Sequence, residues 1–228
     1  LHATHLTANC EILEEGKALL DKKGNPIIKA FVLDRKDVEI LDGWNYMGMI
    51  ATGSHAFRCE NLGVPLNRCF EILPEKAQLK APVYQCPFLQ FAEATLTANI
   101  LGITMHLKDL IEQSFWKRHE YRKYDEKHLN FFTELLSKQD KKLQKLRDNF
   151  YHQVNASWDE LEQNGQISEA RLKKFSKVSR KLTQKCRGIN GKLYPFSGLE
   201  AAKTHTELNR VWRDFNTVGQ HALLIFPF

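Results

Sequence analysis

Three polar residues near the end of the chain have types and a spacing that acid–base chemistry can use. Arg210, Asp214 and His221 are four and seven residues apart, so a helix places them in one row. An imidazole titrates near neutral pH and can donate or accept a proton, and Arg210 can pair with Asp214 along the helix. Alone, such a row is more often a structural network than a site. Its position beside an apolar stripe predicts that it faces a cleft or a neighbouring subunit.

The second candidate is the glycine-rich loop MGMIATGSH, which runs from Met47 to His55. Glycine permits a tight backbone, and Thr52 and Ser54 offer hydroxyls close to exposed amides. Such a loop can hold a phosphate or a polar heteroaromatic ring. The same spacing fits a plain connection between two strands equally well.

Common catalytic signatures are missing from the sequence: it has no GxGxxG, P-loop, GxSxG or HExxH motif. None of the nine histidines has a metal-ligand spacing to Cys, Asp or Glu, so we predict no metal site. The five cysteines are scattered without a CxxC pair, which favours a reduced, cytoplasmic protein.

The net charge of +6 is concentrated between Trp116 and Arg187, a segment that contains 18 Lys and Arg but only 10 Asp and Glu. A basic stretch can steer nucleic acid or a phosphate-bearing ligand. We favour the simpler interpretation, the solvated outer face of long helices, so nucleic-acid binding ranks last. No apolar run reaches the roughly 18–20 residues of a membrane span, and we predict no membrane association.

Hydrophobic periodicity predicts an α+β protein with two parts. The first 73 residues read as short strands, including HLTANCEI and PIIKAFVLD with the turn DKKGNP between them, which indicates part of an antiparallel sheet or small barrel. After about Pro82 the period becomes helical. We therefore expect a partial antiparallel β domain over residues 1–80 and a C-terminal four-helix up-and-down bundle over 81–228.

Start and stop signals divide the bundle into four long helices. Asn164-Gly165 ends the second and Ser168 caps the third. The stretch RGINGKLYP, from Arg187, is expected to break the third helix, and Ser197 with Glu200 forms a capping box for the last. The last helix has an apolar stripe that consists of Leu208, Val211, Phe215, Val218, Ala222 and Ile225.

Two segments together resemble the acyl-CoA dehydrogenase superfamily. GWNYMGMIATGSHAFRCENLGVP is similar to its flavin loop and the strand end that follows, and LNRVWRDFNTVGQH is similar to its late helix with an Arg-Asp motif. The resemblance implies the end of a middle β domain followed by the C-terminal bundle. The chain begins at Leu1, in strand-like sequence, so we expect an N-terminal helical domain and the opening of the β domain to be missing.

The resemblance also separates two chemistries. Many acyl-CoA dehydrogenases carry a catalytic Glu eight residues past the Asp of the Arg-Asp motif, and Ala222 stands there; Glu93 on the first helix is an acidic alternative. The flavin-dependent monooxygenases of the superfamily carry a His at the position of His221. The resemblance thus implies a flavin-dependent oxidoreductase, monooxygenase-like on a small aromatic substrate, with His221 as the catalytic residue and Thr52 and Ser54 as flavin ligands.

Cofactor and partners follow from the same resemblance. The cofactor is FAD or FMN, and Arg118 substitutes for an arginine that reaches flavin phosphates across subunits. The expected partners are further copies of the chain, in a dimer or tetramer, and a flavin reductase. Trp116 and Trp212 fit either a subunit interface or the core. The alternative function is a non-catalytic, truncated bundle that serves as an oligomerising scaffold.

Overall fold

The first part of the chain forms short strands. A computed structural model describes residues 2–226. Within that range the strands are β1 (His5–Glu11), β2 (Leu13–Glu14), β3 (Lys17–Ala18), β4 (Ile28–Asp34), β5 (Glu39–Leu41), β6 (Ala56–Arg58) and β7 (Cys69–Phe70). One sheet has the order β1–β4–β7, and β2–β3 and β5–β6 are separate pairs. Each of these pairings is antiparallel, which confirms the predicted sheet type.

The turn predicted between the two longest strands is stabilised by its own aspartate. Asp21 Oδ1 accepts hydrogen bonds from the amides of Lys23 and Asn25 at 2.7 and 2.9 Å. Gly24 has a φ of +82°, the left-handed region that glycine enters without steric cost. These backbone hydrogen bonds to its carboxylate also lower the pKa of Asp21. The turn residues read from the sequence therefore act as expected.

The second part of the chain is helical. The helices are α1 (Phe88–Arg122), α2 (Glu126–Asn164), α3 (Glu169–Leu193), α4 (Glu207–Val218) and α5 (Ala222–Ile225), with a 3-10 segment at Tyr194–Ala202. Gln90 on α1 donates to Ser157 on α2 at 2.9 Å, and Lys108 donates to Asp140 at 3.0 Å. The first residues of α1 thus contact the last of α2, so the two helices run antiparallel, as in an up-and-down bundle.

The signals between the second and third helices are confirmed. Gly165 ends α2 with a φ of +69°, and its amide donates to the carbonyl of Leu161. Ser168 caps α3 by accepting from the amide of Arg171 at 3.4 Å. A left-handed glycine and a side-chain cap satisfy backbone groups that a helix end leaves unpaired.

The predicted break of α3 does lie within RGINGKLYP, but at its end and not at its glycines. The helix continues through Gly188 and Gly191 to Leu193. Glycine costs about 1 kcal/mol in a helix interior, but Ile189 and Leu193 are completely buried in the bundle. Burial of two aliphatic side chains outweighs that cost, because each is worth about 1.5–3 kcal/mol.

The predicted capping box at the last helix is wrong. Ser197 lies inside the 3-10 segment, where its hydroxyl donates to the carbonyl of Tyr194 at 2.5 Å. Gly198 follows with a φ of +64°, which prevents a helix from continuing there. Thr206 caps α4 instead, by accepting from the amide of Asn209 at 3.3 Å.

The bundle encloses one apolar core. Its buried members are Ile100, Leu101, Leu107, Ile111, Leu143, Phe150, Phe175, Leu182, Cys186, Ile189, Leu193, Ala201, Leu208, Val211, Phe215 and Leu224. Trp212 packs against this core and stacks on Tyr194 with ring centroids 5.0 Å apart. Of the two interpretations of Trp212, the structure supports core packing.

Two compact units divide the described chain. One comprises the residues up to Asn45 together with Ile50–Phe88, and the other comprises Tyr46–Met49 and the residues from Leu89 onward. Strands occupy the first unit and the helical bundle the second, which confirms the α+β class. Between residues 2 and 226, no helix is long and apolar enough to cross a membrane.

Candidate active site

The last helix is interrupted just before the histidine that the sequence singled out. α4 ends before Gly219, and after a short turn His221 becomes the N-cap of the separate helix α5. The predicted placement of His221 on one helix with Arg210 and Asp214 is therefore wrong. Because of this turn, Leu224 is completely buried in the bundle core. Leu224 is not a member of the apolar stripe that one continuous helix would have formed.

His221 lies at the surface with one ring nitrogen in use. Its Nδ1 atom accepts a hydrogen bond from the amide of Leu223 at 3.3 Å. Because Nδ1 is the acceptor, the proton of the neutral imidazole lies on Nε2. In this tautomer Nε2 is a donor, and it can give a hydrogen bond or a proton to an oxygen atom placed next to it.

Two arginines of α3 fix the segment that carries His221. Arg180 Nε donates to the carbonyl of Leu223 at 3.1 Å, and Arg187 Nη2 donates to the carbonyl of Gly219. The arginines are seven residues apart, two helical turns along one face of α3. The backbone is therefore held by a guanidinium on each side of His221.

One of these arginines also contacts a buried acid. Glu93 on α1 is only 2% exposed, and its Oε1 atom lies 3.4 Å from Arg180 Nη2. The hydroxyl of Ser176 donates to the same oxygen at 2.5 Å. The acidic residue that the sequence offered as an alternative base is thus bonded to α3, inside the bundle.

The Arg-Asp motif of α4 binds the first residues of the glycine-rich loop. Asp214 Oδ1 accepts from the amide of Met49 at 2.5 Å, and Arg213 Nη1 donates to the carbonyl of Met47 at 2.7 Å. A Cβ atom added to Gly48 would overlap with the backbone carbonyl of Arg213. Gly48 is therefore required for this close approach, not merely for turn flexibility.

The predicted pair between Arg210 and Asp214 is absent from the described residues. Arg210 Nη2 instead lies 3.3 Å from Glu207 Oε1, and His106 Nε2 lies 3.2 Å from the same oxygen. Asp214 accepts from the amide of Met49, and Arg210 pairs with Glu207, one turn earlier on α4.

Arg118 lies beside a cavity of about 550 Å³ between α1 and the 3-10 segment. Its Nε donates to the carbonyl of Ser114 at 3.2 Å, and its Nη2 donates to the carbonyl of Phe196. A side chain at Gly198 would collide with the guanidinium. The basic residues that line this cavity are Lys117, Arg118, Arg122 and Lys203. Such a cluster of cations suits a phosphate group.

The two hydroxyls predicted to bind flavin lie in the strand-containing unit. Ser54 Oγ donates to Thr52 Oγ1 at 3.5 Å, and both side chains are exposed. Gly53 between them has a φ of +51°, which brings the two hydroxyls to the same side of the tight turn. Throughout residues 2–226, no group of three or more His, Cys, Asp or Glu could hold a metal ion.

Sequence reasoning missed Arg180 and Arg187, although a signal was present. α3 contains many basic residues, and most of its cations are lysines. An arginine differs from a lysine because its planar guanidinium can hold two acceptors at fixed angles. Arginines seven residues apart on a lysine-rich helix therefore indicate a face that binds carbonyls or carboxylates.

Comparison with known proteins agrees with this architecture. The family model described as acyl-CoA dehydrogenase, C-terminal domain, matches residues 117–226. The chain is 26% identical over 226 residues to the flavin-dependent monooxygenase, oxygenase subunit HsaA, of Rhodococcus jostii (strain RHA1), which covers 87% of this chain and 56% of that protein. It is also 31% identical over 120 residues to a pigment production hydroxylase of Rhodococcus sp. (strain ATCC 21145), which covers 50% of this chain and 29% of that protein.

A solved structure shares the fold. The crystal structure of 3-HSA hydroxylase from Rhodococcus sp. RHA1 superposes with a TM-score of 0.82 at 22% identity, over 99% of this chain and 58% of that one. The predicted resemblance to the C-terminal portion of the acyl-CoA dehydrogenase superfamily, on its monooxygenase-like branch, is thereby confirmed. The chain spans about half the length of these relatives.

Proposed function

We propose that this chain is the C-terminal portion of a flavin-dependent monooxygenase that oxygenates a small aromatic substrate. The observation that carries the proposal is the exposed imidazole of His221, fixed at the start of α5 by two arginines of α3. The similarity to a monooxygenase oxygenase subunit and to a hydroxylase supports it. A bound reduced flavin would supply the electrons with which O₂ is activated.

The cofactor is FAD or FMN, and its phosphate would lie in the cavity beside Arg118 of a second copy of the chain, because Glu93, beside the His221 segment, and Arg118 are roughly 37 Å apart along α1. The cavity offers several cations, among them Lys117, Arg122 and Lys203. Glu200 and Glu207 also line the cavity, but Lys203 Nζ lies 2.9 Å from the carboxylate of Glu200, and Arg210 Nη2 lies 3.3 Å from that of Glu207. A guanidinium already oriented by two carbonyls binds a phosphate with little further loss of conformational entropy.

His221 acts through Nε2 in this proposal. The hydrogen bond from Leu223 to Nδ1 favours the tautomer with its proton on Nε2. Nε2 then donates to the oxygen that gains negative charge, and the ring can take a proton back when the product leaves. We propose that Thr52 and Ser54 donate hydrogen bonds to the flavin, a role that Ser54→Ala tests separately.

Dehydrogenase chemistry is disfavoured because the position at which many acyl-CoA dehydrogenases carry a catalytic Glu has no carboxylate in this chain. Ala222 is the first residue of α5, and a methyl group cannot remove a proton. Glu93 is buried and bonded to Ser176 and Arg180. A CoA ester with an acidic α-carbon is therefore a poorer substrate proposal than a small phenol.

We propose two partners on the same grounds. A flavin reductase would supply reduced flavin, as the designation of the relative as an oxygenase subunit suggests. Further copies of the chain would pack against exposed aromatic residues such as Trp116, which is 37% exposed. Aromatic residues are enriched in protein interfaces.

The cofactor proposal is tested by anaerobic titration of the protein with reduced FAD, FMN and riboflavin. Binding in the micromolar range or tighter is expected for a phosphorylated flavin. Arg118→Gln should weaken that binding about tenfold, because a charge-assisted hydrogen bond is lost, and should leave riboflavin binding unchanged. Lys138→Gln on α2 is the matched control, because Lys138 is exposed and does not line this cavity. Failure to bind any flavin would contradict the proposal and favour a non-catalytic oligomerising bundle.

A further inference from the structure

A single guanidinium connects three helices close to the candidate catalytic residue. Arg180, on α3, contacts Oε1 of Glu93 on α1 at 3.4 Å and donates to the carbonyl of Leu223 on α5 at 3.1 Å. Ser176, one turn earlier on α3, donates to the same carboxylate oxygen at 2.5 Å. The backbone immediately after His221 is thus linked to the buried wall of the bundle.

Because Glu93 is buried, its carboxylate needs the guanidinium of Arg180, and the contact between them fixes the orientation of that guanidinium. Glu93 is 2% exposed, whereas the side chain of Arg180 is 22% exposed. An uncompensated carboxylate at such depth is strongly unfavourable, so the pair must stay together in the folded protein. The guanidinium is planar with donors at fixed angles, so its bond to the carboxylate also sets the position of Nε.

The other side of His221 is fixed by a second contact. Arg187 donates to the carbonyl of Gly219, where an added Cβ would lie 2.9 Å from the carbonyl of Phe215. Leu224, three residues after His221, is fully buried. The backbone around the imidazole therefore has few ways to move as long as Arg180 keeps its place.

We propose that Glu93, Ser176 and Arg180 form a buried ionic anchor that positions His221. Glu93 and Ser176 orient the guanidinium of Arg180, and the guanidinium holds the carbonyl of Leu223. They are positioning residues, because they act through the backbone of α5. The anchor is a structural claim on its own, and only its effect on oxygenation rests on the function proposed above.

Amide hydrogen exchange of residues 219–225 in the full chain tests the anchor without any flavin. Arg180→Lys keeps the charge but cannot hold the carboxylate and the carbonyl at the same angles, so exchange there should become about tenfold faster. Glu93→Gln keeps a hydrogen-bond acceptor, removes the charge and should act in the same direction. If Glu93→Gln fails to fold, Ser176→Ala takes its place.

The matched control is Arg171→Lys. Arg171 lies on the same helix and pairs with Glu160 at 2.8 Å, in contact with α2 and not with α5. Its substitution should leave the exchange of 219–225 within about twofold of the unsubstituted protein. Equal exchange in the Arg180→Lys and Arg171→Lys proteins would overturn the anchor.

Turnover with reduced flavin and a phenol tests the positioning role. The fraction of consumed O₂ that appears in product should fall several-fold in Arg180→Lys and remain unchanged in Arg171→Lys. Faster exchange of 219–225 without any change in that fraction would overturn positioning. A protein without any turnover would refute the proposed function, while the exchange experiment would still decide on the anchor.

Discussion

The carboxylate of Asp214 accepts a hydrogen bond from the backbone amide of Met49 at 2.5 Å, across 165 positions of sequence. Arg213 strengthens this contact by donating to the carbonyl of Met47. The first three residues of the glycine-rich loop and the Arg-Asp pair, which the sequence offered as separate candidates, therefore contact each other. The tight approach requires Gly48, where no Cβ can be accommodated.

Gly48→Ala should detach residues 46–49 from α4. The added methyl group overlaps with the carbonyl of Arg213, and such overpacking costs about 1–3 kcal/mol. We expect a lower melting temperature and faster proteolysis near Met47. Gly43→Ala is the matched control, because no atom lies within 4 Å of a Cβ built there. Equal stability of the two variants would contradict the close approach.

Thr97→Val should stabilise the protein. The hydroxyl of Thr97 is buried without a hydrogen-bond partner among the described residues, so the folded state bears an uncompensated desolvation cost. Replacing it by a methyl group of similar shape should raise the free energy of unfolding by roughly 1–2 kcal/mol in a urea titration.

The control for that substitution is Thr104→Val. Thr104 is equally buried on the same helix, but its hydroxyl donates to the carbonyl of Ile100 at 2.8 Å. Removal of a satisfied hydrogen bond should give no gain. If both variants were stabilised equally, burial of a methyl group alone would be responsible, and the unpaired hydroxyl would have no part in it.

The contribution of Glu160 to stability should disappear at acidic pH. Hydrogen bonds from the Ser168 side chain, from the guanidinium of Arg171 and from the Ser168 amide lower the pKa of the Glu160 carboxyl from 4.5 to about 2. Because the pKa of Glu160 is lower in the folded than in the unfolded state, its ionised carboxylate stabilises the folded protein above pH 4.5. This stabilisation is lost as the pH falls toward 2. The difference in melting temperature between the unsubstituted protein and Glu160→Gln should therefore be constant above about pH 5 and shrink below 4.5.

Glu162→Gln is the control. Glu162 lies on the same helix, and its exposed carboxylate forms no ion pair within residues 2–226. Its melting temperature should follow that of the unsubstituted protein across the same pH range. A difference for Glu160→Gln that persists unchanged at pH 3 would contradict the role assigned to its carboxylate.

The cysteines should differ sharply in reactivity. All five are free thiols, and Cys10 and Cys59 are exposed whereas Cys186 is buried in the bundle core. Burial raises the pKa of the Cys186 thiol to about 11, and the thiolate is the reactive form. A thiol-reactive dye at pH 8 should modify Cys10 and Cys59 within minutes and Cys186 only after unfolding, as peptide mass spectrometry can show. Rapid labelling of Cys186 in the native protein would contradict its burial.

Local signals predicted those elements whose ends are decided by neighbouring residues. Gly165 ends α2 through its own backbone conformation, and Ser168 caps α3 through an amide three residues away. The end of α3 comes late in the predicted stretch RGINGKLYP, after Leu193, for the opposite reason. Ile189 and Leu193 pack against residues of other helices, and this packing cannot be predicted from the spacing of the glycines.

The candidate site was predicted only in part. His221 was found from its residue type and its resemblance to a family motif, whereas its departure from α4 depends on the burial of Leu224. The contact of Glu93 with Arg180 joins positions 87 residues apart. Hydrophobic periodicity reports which face of a helix is buried, but not which side chain on another helix it meets.

In the proposed function, His221 controls the fate of O₂ at a bound reduced flavin. The direct measurement compares product formed and hydrogen peroxide released per O₂ consumed, for the unsubstituted protein and for His221→Ala, with reduced flavin supplied by a reductase and a phenol as substrate. In His221→Ala we expect flavin binding to be retained while product is lost and peroxide increases, because the donor at Nε2 is gone. The same product-to-peroxide ratio in both proteins would contradict it.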